Sequence, residues 1–442
     1  ENYSAALTIN LASGTEETGD KDILTSIENV IGGSGNDNIT GDSVANTILA
    51  GSGNDTIYSS GGNDSLDGGT AGTDSVNYGS ETGKITLSSV GGTYTKIKDG
   101  QSNDSDTATN IEEIWGTNYK DVLVGDSAND TFKAGSNNDT LTGGAGNDSL
   151  YGEAGNDTFF ASSTSDGTDV IDGGLDVDTL DYTSINSGTD YVDINFQDGT
   201  AKKYANSDTV TPLQTDNISN IENIVGTSGN DIFRGNELNN TFDGGANGND
   251  TVSYDYMATA IVANMALGTV SGDAVSNDKL INIDNVTGGS ADDIITGDEF
   301  ANILKGNAGD DTFIGAGGAD TIIGDGNAAS NAKGDTVSYS YLVSSSDNVV
   351  IDLSNTSSAN ATVYNNSVAS STDIDTVRTV ENVIGGSGND TITGDGNANT
   401  LLGEDGDDTL AGKGGNDYID GGLNTDTISF SDASNGSGVS IN

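Results

Sequence analysis

The sequence predicts an all-β protein: a right-handed parallel β-roll or β-helix solenoid of stacked nonapeptide turns, interrupted by β spacer strands. Three observations carry that expectation. An Asp or Asn recurs every nine residues, with an apolar residue two positions after it in the same register. Glycine is abundant, 64 residues against the single proline Pro212. The stretches between repeats alternate apolar and polar, which is the period of a half-buried strand.

The period of nine is clearest at Gly32-Gly33-Ser34-Gly35-Asn36-Asp37-Asn38-Ile39-Thr40. Asp37 is followed by Asn46, Asp55 and Asp64, while Ile39 is followed by Ile48, Ile57 and Leu66. A second block carries Asp121, Asp130, Asp139, Asp148 and Asp157, then Asp169 and Asp178 after a short insertion. A third carries Asp231, Asn240 and Asp250; a fourth Asp293, Asn302, Asp311, Asp320 and Asp335; a fifth Asp390, Asn399, Asp408, Asp417 and Asp426. The repeat blocks therefore span 32–78, 116–182, 226–254, 288–339 and 385–430.

Each block opens after a strand-like tetrad such as Ile27-Glu28-Asn29-Val30 or Ile221-Glu222-Asn223-Ile224. Each closes on an Asp-Thr-Val-Ser-Tyr-like segment that ends at Tyr78, Tyr182, Tyr254, Tyr339 or Phe430. The spacers are 1–31, 79–115, 183–225, 255–287 and 340–384, and another begins at 431–442. Residues 5–10 match 438–442 in phase, so the chain is expected to be a window on a longer array or to join end to end.

Composition says what must hold such a chain together. Leu, Ile, Val and Phe make up about one fifth of it, and 69 acidic residues face 14 basic ones for a net charge of −55. That balance borders on disorder unless something bridges the carboxylates. There is no cysteine and no histidine, which removes disulfides, thiolate chemistry and the commonest transition-metal ligand. The charge argues against nucleic acid and anionic membrane surfaces as partners, and no apolar run approaches the ~18 residues of a membrane span.

The spacing of the motif supplies the chemistry. Six residues make a turn and three a short strand whose central apolar residue points inward. Glycine permits the positive φ of such turns. Two nonapeptides make one coil, so residues 18 apart stack at the ~4.8 Å strand spacing. Asp121, Asp139 and Asp157 then line one edge, and Asp130 and Asp148 the other. Two carboxylates and several carbonyl oxygens between coils form a hard-oxygen site that suits calcium better than magnesium. The ligand ladder comprises all the Asp and Asn positions of the five blocks given above. In four blocks the second turn has Asn (Asn46, Asn240, Asn302, Asn399), which keeps an oxygen but loses the charge; either a preceding Asp42, Asp298 or Asp395 restores the site, or the turn is an entry cap. The second block has both Asp126 and Asp130. Counting one ion per overlapping pair gives on the order of 10 to 16 calcium ions. Trp115 and Tyr78 are expected in core or edge packing.

Gly143-Gly144-Ala145-Gly146-Asn147-Asp148-Ser149-Leu150-Tyr151 fits every position of the Gly-Gly-x-Gly-x-Asp-x-U-x calcium signature. Over its five blocks the chain resembles the repeats-in-toxin (RTX) family. The resemblance implies type I secretion from a Gram-negative bacterium, unfolded passage, and folding on extracellular calcium. Three classes of function compete: a surface structural protein such as an S-layer subunit, adhesin or fibre; the RTX region of a secreted enzyme or toxin; and a glycan- or ice-binding module. Repeats and spacers filling the chain favour the first. The lack of histidine, and of a Gly-x-Ser-x-Gly elbow, disfavours catalysis within these residues. Aromatics without regular spacing disfavour the third. Self-association is expected.

Overall fold

The computed structural model describes residues 4–17, 21–98, 104–185, 188–205, 211–272, 277–324, 333–354, 359–365 and 368–431. The matching segment 438–442 lies outside the described residues. The chain divides into two compact units, 1–231 with 245–248, and 232–244 with 249–442. Among the described residues there is no helix, hence none long and apolar enough to cross a membrane.

Each unit is a parallel β-roll. The repeat strands are mostly three residues long with the middle side chain buried, as at Thr140–Thr142, Thr158–Phe160 and Thr179–Asp181. Successive turns alternate between two sheets, so neighbours in one sheet are two nonapeptides apart. In the first unit one sheet stacks Ile39 on Ile57, Val76, Ile114, Phe132, Leu150 and Ile171. The other stacks Leu123 on Leu141, Phe159, Leu180 and Ile224. In the second unit Val252, Val286, Leu304, Ile322 and Val377 form one such column, and Ile295, Phe313, Val337, Val383 and Leu401 another. These side chains are almost wholly buried and constitute the core. With one apolar residue per nine, the core consists chiefly of one column of side chains from each of the two sheets.

The spacers do not break the stack. Counted from the one between the first two blocks, the first spacer is a three-stranded antiparallel meander, Ile85–Val90, Thr93–Lys98 and Ser105–Thr109. Its last strand pairs in parallel with Ser65–Gly69, its first with Val122–Val124, and the repeat resumes beyond it. In the opposite sheet the closing strand Ser75–Asn77 pairs directly with the opening strand Glu113–Trp115. The second spacer repeats this plan with Tyr191–Asn195, Thr200–Tyr204 and Gln214–Ser219, while Thr179–Asp181 pairs with Asn223–Val225. In the second unit the third and fourth spacers do the same, with Thr251–Ser253 on Asn285–Thr287 and Thr336–Ser338 on Asn382–Ile384. The turn into each opening strand holds Ser26, Asn110, Asn220, Asn282 or Thr379 at a φ of 50–55°, a region asparagine tolerates better than most residues.

Tyr78 is buried in the core, whereas Trp115 is 41 % exposed. The period of two explains the difference: Ile114 takes the inward position, and Trp115 falls outside, where Lys133 lies over its ring at 4.4 Å.

Candidate metal centres

The aspartates of the repeats stand in rows. In one row the N–H of Asp121 donates to Oδ1 of Asp139, that of Asp139 to Asp157 and that of Asp157 to Asp178, each at 2.7 Å. In the row on the other edge Asp130 donates to Asp148 at 2.8 Å and Asp148 to Asp169 at 2.9 Å. The same bond joins Asp37 to Asp55, Asn46 to Asp64, Asp293 to Asp311, Asp311 to Asp335, Asn302 to Asp320, Asp390 to Asp408, Asp408 to Asp426 and Asn399 to Asp417. The 18-residue stacking read from the sequence is therefore present in both units. Asp231 begins its own row, accepting from the N–H of Val192, and Asp250 donates to Asp284.

The rows continue into the spacers through residues the nonapeptide period does not reach. Asp55 is followed by Asp74, one residue out of step, and Asp74 donates to Glu112. Asp178 donates to Glu222 and Asp335 to Glu381. Asp64 is followed by Asp106, Asp169 by Asp216, Asn240 by Asp278 and Asp320 by Asp375. Each of these last four aspartates lies six residues before the acid of the opening tetrad, as does Asp22 before Glu28. The signal is Asp-x-x-x-x-(Ile/Val)-(Glu/Asp), and it was legible.

Position in the row decides what the second oxygen does. At the first turn of a block it is closed: Oδ2 of Asp37, Asp121, Asp231, Asp293 and Asp390 accepts the N–H of the residue four before it. At the second turn Asp130 does likewise with Asp126. The asparagines use Oδ1 for the same bond, Asn46 to Asp42, Asn240 to Asn236, Asn302 to Asp298 and Asn399 to Asp395. The amide nitrogens of Asn302 and Asn399 also donate to the carbonyls of Asp284 and Glu381, one coil back. This is the geometry of an entry cap, a task for which the carboxamide is as good as a carboxylate. Asp42, Asp298 and Asp395 turn an oxygen to the N–H two residues on and shape the loop. Asp126 sits outside, accepting from Gly92, Ala128 and Ser127, and these bonds pull its pKa down to about 2.

Further along the rows the second oxygen is open at seven positions. Oδ2 of Asp55, Asp64, Asp139, Asp148, Asp157, Asp178 and Asp408 is buried without a hydrogen-bond partner. A buried carboxylate oxygen left bare is costly, and here such oxygens recur coil after coil. Desolvation, with repulsion from neighbouring row members, pushes Asp139 up to about 8 and Asp148 and Asp178 up to about 7. A Cβ on Gly143 would overlap the Asp148 carboxylate, and one on Gly144 the carbonyl of Asp126. The glycines thus leave the space beside the open oxygens clear.

These features fit a hard, oxygen-seeking cation. Among the described residues no group of three or more His, Cys, Asp or Glu side chains is placed to hold a metal ion alone; beside the open carboxylates, the turn carbonyls would complete the ligand set. Such a mixed shell of carboxylate and carbonyl oxygen is calcium chemistry. The open members of the rows would hold it, and the ion supplies the positive charge that stacked carboxylates lack.

Fold and rows together define a calcium-binding parallel β-roll. The RTX calcium-binding nonapeptide repeat, a family model of four copies, matches residues 25–43, 40–75, 115–150, 134–166, 219–252, 287–322, 380–410 and 402–432. Together these cover just over half of the chain, which belongs to that family. No curated protein matches it.

Proposed function

We propose that the protein is a calcium-dependent structural component of a cell surface, an S-layer subunit, adhesin or fibre, exported by a type I system and folded by calcium outside a Gram-negative cell. The observation that carries the reading is that, in each unit, every described strand belongs to the two sheets of the roll or to a spacer meander added to them. Such a body offers length, stiffness and a metal-controlled fold. Catalysis has no part in the proposal.

The role requires association. Mixing the full chain with calcium at about 10⁻³ M, the range of extracellular calcium modules, should give sheets or fibres under the electron microscope. Chelator should dissolve them. A species of 44.6 kDa that stays monomeric by light scattering in saturating calcium would count against assembly and favour a folding module of a secreted enzyme or toxin.

A further inference from the structure

We propose that Lys96 and Lys203 are protein-supplied cations that take the place of calcium at the last step of two carboxylate rows, and so lower the calcium needed to close the first unit. The inference is independent of the surface role proposed above.

Both lysines are wholly buried, which is rare for lysine unless its charge is met. Lys203 comes from the middle strand of the second spacer. Its Nζ lies 2.9 Å from Asp216 Oδ2 and 3.8 Å from Asp169 Oδ2, and it also pairs with Asp166. Asp169 and Asp216 are consecutive members of one row. The ammonium therefore stands between two stacked carboxylates, where an inter-coil ion has to be. Lys96, from the middle strand of the first spacer, pairs with Asp106, the last member of the row through Asn46 and Asp64, and leaves Asp64 Oδ2 bare. It lies 3.0 Å from Asp106, 2.5 Å from Asp104 and 3.2 Å from Glu81. Three carboxylates around each ammonium match its three donors. A divalent ion at the same step would meet a fixed positive charge within a few ångströms, which disfavours double occupancy.

The tyrosines that close the blocks supply a second observation. In the second unit Tyr254 donates its hydroxyl to Asp278 Oδ2 at 2.9 Å, and Asn240 N–H donates to Oδ1. The residue opposite Asp278 on the middle spacer strand is Val270; the one opposite Asp106 is Lys96. In the first unit the hydroxyls of Tyr78 and Tyr182 are buried without a partner. The lysines have taken the carboxylates that the equivalent tyrosine uses elsewhere. Spacers of the first unit therefore end a row with a charge, and the third spacer ends it with a neutral donor.

The test is hydrogen–deuterium exchange by mass spectrometry on the full chain at stepped free calcium. Peptides around Asp64 and Asp106, and around Asp169 and Asp216, should gain protection at lower calcium than those around Asn240 and Asp278. Lys96→Met should raise the midpoint of the Asp64/Asp106 peptides about tenfold, the scale of one lost hydrogen bond to a charged group, and leave the Asn240/Asp278 peptides unmoved. Adding Asp106→Asn to Lys96→Met should bring the midpoint back toward wild type, because the charge needing compensation is gone. A purely packing role for the lysine predicts no such recovery. The proposal is overturned if Lys96→Met and Lys203→Met leave their midpoints unchanged, or if the double variant is as impaired as the single. Should Lys96→Met fail to fold at any calcium, the order of midpoints in the wild type decides, and the reverse order overturns it.

Discussion

The backbone N–H of Asp139 donates to Oδ1 of Asp157, 18 residues on and 2.7 Å away, while Oδ2 of the same Asp157 is buried with nothing to accept. One oxygen of such an open carboxylate thus builds the coil and the other is left for a cation. Asp121, two coils earlier, has both oxygens engaged, by Ile85, Thr117 and the Thr117 hydroxyl.

That difference separates two substitutions of identical chemistry. Asp130→Asn, at the second turn of its block, keeps the acceptor for the Asp126 N–H, turns its NH2 to the Tyr94 hydroxyl and should leave the calcium midpoint of folding nearly unchanged, as the natural Asn46, Asn302 and Asn399 already do the same task at that turn. Asp157→Asn removes charge from an open position and should weaken calcium-driven folding by roughly tenfold, on the order of 1.5 kcal/mol for one charged interaction. Calcium titration of the two variants by circular dichroism compares them directly. Equal midpoints would mean that capped and open positions do not differ in calcium binding.

Much of this was legible because a period of nine with one apolar residue leaves few ways to pack. Ile39, Ile57 and Phe132 could only be core, and an 18-residue coil follows from two turns per rung. The period of nine carries the rows as far as Asp178 and Asp426; into the spacers the only sequence signal is the Asp six residues before the acid of each opening tetrad. Asp106, Asp216, Asp278 and Asp375 lie outside the nonapeptide period, and they are placed by strand pairing across 38 to 55 residues of chain. Whether an aspartate is open or capped does not follow residue type; it follows the place of its turn in the block, the first-turn aspartates all accepting the N–H four residues back. Trp115, expected in core or edge packing, lies outside: the period of nine that runs back from Phe132 through Leu123 makes Ile114 the inward residue.

Calcium removal should unfold the chain. A net charge of −55 and a core of chiefly one apolar column per sheet leave little to oppose self-repulsion and chain entropy. Far-ultraviolet circular dichroism should show loss of β structure in chelator and its return with calcium, since an ion that binds only the folded form stabilises it. A chelated sample with an unchanged β spectrum would sink this expectation.

The closing tyrosines should respond unequally to loss of their hydroxyls. Tyr254 serves Asp278, so Tyr254→Phe leaves a buried carboxylate oxygen bare and should cost about 1–3 kcal/mol. The Tyr78 hydroxyl is buried without a partner, so Tyr78→Phe should be neutral or slightly stabilising. Urea unfolding in saturating calcium, with the midpoint of each variant set against wild type, checks the pair. A Tyr78→Phe variant that loses as much as Tyr254→Phe would contradict the difference in hydrogen bonding.

The last expectation concerns pH without metal. Burial, helped by like charges on neighbouring coils, lifts Asp139 to about 8, Asp64, Asp148 and Asp178 to about 7, and Asp157 and Asp390 to about 6, against 3.8 unperturbed. The folded form therefore holds more protons than the unfolded chain between pH 4 and 8. Stability from these groups is complete below about pH 4 and is lost as pH rises through 6 to 8. Metal-free protein should keep more β structure at pH 5 than at pH 8, and calcium at pH 8 should restore it. Because calcium and protons compete for the same oxygens, calcium should release protons on binding and bind more tightly as pH rises. Circular dichroism of metal-free protein across this range, with proton release followed in weak buffer, measures both. A metal-free chain better folded at pH 8 than at pH 5 would reverse the sign and show that the open carboxylates are not the groups calcium must neutralise.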